Sequence, residues 1–142
     1  MHKGRLIAIG FAAFALICGV VSLDYARGRV PETTSSLILD ILSEGVAKQC
    51  RRDVSAVVRR HIPPGMERAR AVQAISDAVI ALPRPWFWSA SLTEAMVEAP
   101  DRLQATRTLR ATAFGNELLL IDLRLRDGRV DSVAAKVECA FG

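Results

Sequence analysis

The sequence predicts an α+β fold: an N-terminal transmembrane or signal helix, then two main helices packed on a three-stranded antiparallel sheet. Three observations predict it. An uncharged apolar run of 18 residues, Leu6 to Leu23, opens the chain. Apolar residues then recur at spacings of three and four from Leu37 to Leu82, the signature of helices with one buried stripe. From Leu103 onward the period changes to two, as in strands with one wet face.

The leader sets the compartment. At about 1.5 Å per residue its run reaches roughly 27 Å, close to a hydrocarbon core of about 30 Å. Lys3 and Arg5 precede it and Asp24 follows it. The same features suit a cleaved signal, with Val20-Val21-Ser22 as the cleavage site, although the apolar stretch is long for one. Ile17 before Cys18 is too bulky for a lipid-attachment motif. Anchor and signal both carry the following residues out of the cytoplasm. The expected organisation is residues 1–26 as the membrane segment, 27–36 as a linker and 37–142 as one domain. The expected membrane contact is made through Leu6 to Leu23.

Residues 31–142 hold 15 Lys and Arg against 14 Asp and Glu, so the formal charge of +4 comes mostly from the flanks of the leader. A nucleic-acid partner is not expected, because such proteins concentrate positive charge in the folded domain. Lys48 to Arg70 is locally basic, and Arg51, Arg52, Arg59 and Arg60 are candidates for contact with anionic lipid.

After the capping-type run Thr33-Thr34-Ser35-Ser36, a first helix of about six turns is expected from Leu37 to Val58, with Cys50 in its apolar stripe. Pro63-Pro64-Gly65 ends it, since proline lacks an amide donor and disfavours helical geometry in its predecessor. Met66 to Leu82 forms the second helix, which Pro83 closes. Trp86-Phe87-Trp88 follows, readable as a core plug or as a partner-binding patch. Ser91-Leu92-Thr93-Glu94 has capping-box spacing and predicts a short helix to about Glu98.

Three strands then follow, around Leu103–Ala113, Leu119–Leu125 and Val133–Phe141. A two-residue turn at Asp127-Gly128 alone would put the apolar sets of the last two strands on opposite faces. An odd loop is therefore expected, for instance Arg126-Asp127-Gly128, leaving Leu119, Ile121, Leu123, Val133, Ala135 and Val137 on one face. Likewise a Gly115-Asn116-Glu117 connection would align Ala111 with Ile121 and Leu109 with Leu123.

Cys139 lies on the apolar phase of the last strand and Cys50 on that of the first helix, so both side chains face one interior. Outside the cytoplasm such a pair oxidises, and a Cys50–Cys139 disulfide is expected. Catalysis is not. His61 is the only histidine of the domain, at a helix end where a cation favours the terminal carbonyls, and acidic residues show no metal-ligand spacing. Glycines form no phosphate loop, and no cofactor is expected.

The stretch Pro64-Gly65-Met66-Glu67-Arg68-Ala69-Arg70-Ala71-Val72 at a helix start, with the later hairpin around Asp127-Gly128-Arg129-Val130, resembles the BamE-like (SmpA/OmlA) small bacterial envelope proteins. The resemblance covers about Pro63 to Val137. It implies a periplasmic domain in which a Pro-Gly-Met turn opens a helix and a three-stranded antiparallel sheet follows two helices. The chain differs from that group in its long first helix with Cys50 and in lacking Leu-Gly before the closing proline. The expected role is a non-catalytic accessory or protein-binding subunit that uses a sheet edge or Trp86-Phe87-Trp88.

Overall fold

The computed structural model describes residues 14–19, 33–44, 50–81, 92–112 and 115–141. It divides into two units, Met1–Val30 and Pro31–Gly142. Within the first, residues 14–19 are helical with exposed side chains, a stretch of about 9 Å at the usual rise. The rest of the Leu6 to Leu23 run lies outside the described residues. Among the described residues no helix is long and apolar enough to cross a membrane, which corrects the expectation of a transmembrane helix as an element of the fold.

The second unit is α+β, with helices α1 (Ser36–Glu44), α2 (Ser55–His61) and α3 (Arg68–Ser76) and strands β1 (Arg52–Asp53), β2 (Ala95–Ala99), β3 (Arg102–Thr112), β4 (Gly115–Arg126) and β5 (Arg129–Phe141). The strands form one antiparallel five-stranded sheet in the order β1-β5-β4-β3-β2. The expectation of two main helices on three strands is therefore corrected at both sheet edges and in the helices.

The expected first helix is broken. After α1 the chain reaches Cys50 and Arg51, whose φ of 65° is left-handed, and then pairs Arg52 and Asp53 with Val137 and Lys136 of β5. Asp53 Oδ1 accepts the Ser55 amide at 2.7 Å, a local bond that favours a turn over helix continuation. Apolar periodicity survived the break because α1 and α2 bury their stripes in one core, Leu37, Ile38 and Ile41 beside Val57 and Val58.

The expected second helix is shorter at both ends. Met66 and Glu67 belong to an extended segment after the Pro64-Gly65 turn, held on the β4–β5 hairpin by Gly65 N–H to Val130 O (2.7 Å) and Val130 N–H to Met66 O (2.8 Å). Its far end is cut by Arg107 of β3, whose Nε donates to the Ile75 carbonyl at 3.1 Å, the acceptor that the Val79 amide would need in a longer helix. Ala78 and Ile80 are buried and Val79 is exposed, so the chain alternates there.

The short helix expected near Ser91 to Glu98 is instead strand β2. Its capping-type contact comes from across the sheet: the Thr93 amide donates to Thr108 Oγ1 at 2.8 Å, and the Thr108 hydroxyl donates to Thr93 O at 3.1 Å.

Asp127 (φ 52°) and Gly128 (φ 73°) form a tight turn between the paired residues Arg126 and Arg129. Two left-handed residues in succession mark a primed hairpin turn, and the phase is repaired by a bulge rather than by an odd loop. Arg124 pairs with Ser132 and Leu125 with Val130, leaving Asp131 extra, and thereafter Leu123 meets Val133, Ile121 meets Ala135 and Leu119 meets Val137. That shared apolar face is the expected one. The β3–β4 register is not: Ile121 pairs with Ala105 and Leu123 with Leu103, and Thr112 pairs with Gly115 across residues 113 and 114. A second bulge lies at Leu109, which is fully buried.

Candidate functional site

The helices cover one face of the sheet, where Leu103, Leu119, Leu123 and Val137 are inaccessible to solvent. Residues of the other parity form the open face. The pairing sets them in rows across the strands: Lys136, Leu120, Thr106 and Ala95 in one, and Ala134, Asp122, Gln104 and Val97 in the next. These rows line a trough of about 800 Å³, with the small side chains of Ala95 and Ala134 at row ends. Val97 stands at its edge, 62% exposed although strands normally bury valine.

The rims are charged. At one end Arg102 Nε donates to Asp122 Oδ1 at 2.8 Å, and a second guanidinium nitrogen reaches Oδ2. The hydrogen bond from Arg102, against partial burial and with the nearby charges of Arg102 and Arg124 helping, holds the Asp122 carboxyl below its usual value. At the other end Lys136 pairs with Glu138, and the hydroxyl and amide of Ser55 lower the Asp53 pKa.

Strand β2 forms one lateral edge of this face. Its register puts Ala95, Val97 and Ala99 on the open side and Met96 and Glu98 on the helix side. Glu98 Oε2 accepts from Arg68 at 2.9 Å, and Glu94, one residue before the strand, is exposed. Within Ala95–Ala99 there is no proline, lysine or bulge, the usual guards of an edge strand.

Cys50 and Cys139 are joined in a disulfide with Cα atoms 5.3 Å apart. Trp86, Phe87 and Trp88 lie outside the described residues. The four candidate lipid-binding arginines do not act as one surface. Arg51 and Arg59 are exposed and exposed Arg60 pairs with Glu44, whereas Arg52 turns inward, bonding Ile41 O at 3.3 Å and pairing with Glu117 at 3.5 Å.

His61 Nε2 lies 2.7 Å from Asp40 Oδ2, and its Nδ1 lies 3.5 Å from Ser36 Oγ. Acid, imidazole and hydroxyl are thus adjacent, the grouping of a nucleophilic site. Ser36 and Asp40 occupy successive turns of α1, however, and none of the three lines the trough. The physical work of His61 is to tie α2 to α1. Among the described residues no three His, Cys, Asp or Glu side chains gather as a metal site.

Two residues that matter here carry weak signals in the sequence. Val97 falls in the stretch whose capping-box spacing suits a helix, although Ala95-Met96-Val97-Glu98-Ala99 does alternate in size and polarity. Arg107, only 6% exposed, sits in the apolar phase of β3, where a charge reads as a break in the pattern.

No protein-family model, curated protein or solved structure matches the chain.

Proposed function

We propose that the second unit is a non-catalytic binding domain on the non-cytoplasmic side of a bacterial membrane, delivered by the apolar leader, and that it contacts a protein partner through the β2 edge and the adjoining open face. The observation that carries this reading is, among the described residues, an edge strand without proline, lysine or bulge beside a trough on the face away from the helices: Val97 is 62% exposed beside a cavity of about 800 Å³. Edge strands with free amides and carbonyls are templates for another chain, and native folds usually protect them. The Cys50–Cys139 disulfide supports the compartment, because such bonds persist in oxidising surroundings.

The test is a photoreactive side chain introduced into the full chain in cells at Val97 or Ala134 on the open side, and at Ala56 or Arg59 on the helix side. Covalent adducts with another protein are expected from the first two positions and not from the second two. Equal labelling from both sides, or none from Val97 and Ala134, would contradict the assignment.

A further inference from the structure

We propose that the Cys50–Cys139 disulfide is a thiol-exchange site, opened in the folded domain by a dithiol that attacks Cys50 and expels Cys139 as a thiolate held by Arg52 and Arg110. This goes beyond the partner-binding reading and does not depend on it. The pairing sets Arg110 against Glu117 and Glu117 against Cys139, so the three side chains stand in one row across β3, β4 and β5, on the same side of the sheet as Leu119 and Val137. Arg52, opposite Val137, belongs to the same side. Its Nη2 lies 3.5 Å from Glu117 Oε1, and Arg110 Nε lies 3.5 Å from Glu117 Oε2, with all three side chains mostly buried. Two guanidinium cations thus share one carboxylate where water screens little, and one positive charge is left over in the row of Cys139.

Arg52 Nε and Arg110 Nε are also buried without a hydrogen-bond partner. Buried donors of that kind are rare in folded proteins, and these two lack an anionic acceptor. A thiolate at Cys139 supplies the missing negative charge, and arginine neighbours favour thiolate over thiol. Lys136 and Glu138, the other charges beside Cys139 on β5, pair with each other. Cys50 is the exposed member of the disulfide and Cys139 the half-buried one. Exchange favours attack on the sulfur whose partner leaves as the better thiolate, so the incoming sulfur bonds to Cys50 as the Cys50–Cys139 bond breaks and its electron pair departs on Cys139. The second sulfur of the dithiol then displaces Cys50, and the dithiol leaves as its own disulfide. Of the two protons the dithiol gives up, one ends on Cys50 and one in solvent. The β1 segment outlasts the bond, because Arg52 and Asp53 keep their pairing with β5 and Ser55 keeps both bonds to Ala135.

The test exposes the oxidised full chain, folded and without denaturant, to dithiothreitol and reads alkylation of Cys50 and Cys139 by mass spectrometry. Reduction is expected at a rate that rises in proportion to dithiothreitol. Arg110→Met is expected to slow it roughly threefold or more, Arg110→Lys to keep it near wild type, and Glu117→Gln to quicken it. Slowing in Arg110→Met is not a folding artefact, since a loosened fold is reduced faster. With the monothiol glutathione, the trapped mixed disulfide is expected on Cys50. A rate that saturates at that of global unfolding, a rate unmoved by Arg110→Met and Glu117→Gln, or glutathione trapped on Cys139 would overturn the proposal and leave the bond a fixed cross-link.

Discussion

Arg107 is a cation 6% exposed in the apolar phase of β3, and it is held by backbone oxygens: Ile75 O at 3.1 Å, Thr106 O at 3.2 Å and Ala95 O at 3.3 Å. One side chain thereby caps the end of α3 and ties it to β2. Arg107→Met keeps much of the volume but removes all three donations, leaving the Ile75 carbonyl to backbone amides such as that of Ala78 at 3.1 Å, and a loss of about 1–3 kcal/mol is expected in urea unfolding. Asp122 acts at the surface and through pH. Its folded-state carboxyl is depressed chiefly by the hydrogen bond from Arg102, so the stability it adds is complete above the unfolded carboxylate value of about 3.9 and disappears as pH falls through the lower folded value. Asp122→Asn should therefore be less stable than wild type at neutral pH, with the difference closing below about pH 4 in thermal melts. A constant difference across that range would show that the Arg102 pair carries no such linkage.

At the scale of elements, the face of each long strand was legible and its register was not. Alternation assigns Leu119, Ile121, Leu123, Val133, Ala135 and Val137 to one side, but a slip by an even number of residues keeps every side chain on its face. Ile121 could thus be matched to Ala111 from the sequence while pairing with Ala105 in the sheet. The bulge at Asp131 showed in the sequence only as a phase mismatch between the last two strands, which an odd loop would explain equally well, so the mismatch was legible and its place was not. Helix interruptions were hidden for a related reason: α1 and α2 face the same core, so their stripes read as one. The short strand β1 is prolonged by backbone and side chain together, the Val54 amide donating to the Ala135 carbonyl at 3.0 Å. Ser55 Oγ accepts from the Ala135 amide at 2.9 Å and donates to the Ala135 carbonyl at 3.2 Å. Ser55→Ala should cost about 1–2 kcal/mol and speed exchange of the Ala135 amide, and unchanged exchange there would refute the role of the hydroxyl as its acceptor.

Across the whole molecule, the disulfide joins the start of the β1 segment to the last strand over a sequence separation of 89. The pair was expected from apolar phases and from the compartment inferred from the leader, but only Cys139 sits as expected on its strand: Cys50 is exposed in a bend before β1 and not in a helix stripe, so the right pair was reached through the wrong geometry for one partner. In the chain-entropy picture closing such a loop contributes about 4 kcal/mol, so reduction or Cys139→Ser should lower unfolding stability by about that amount. The candidate site was less legible, because it depends on β2, a five-residue strand whose sequence also suits a helix start, and on a face defined by what does not cover it. The measurement closest to the proposed role is backbone amide exchange of Ala95–Ala99, read by mass spectrometry for the full chain in its native membranes and again after purification. Slower exchange in the membranes, confined to β2 and the open face, is the expected result. Equal exchange of β2 in both preparations would contradict the binding role.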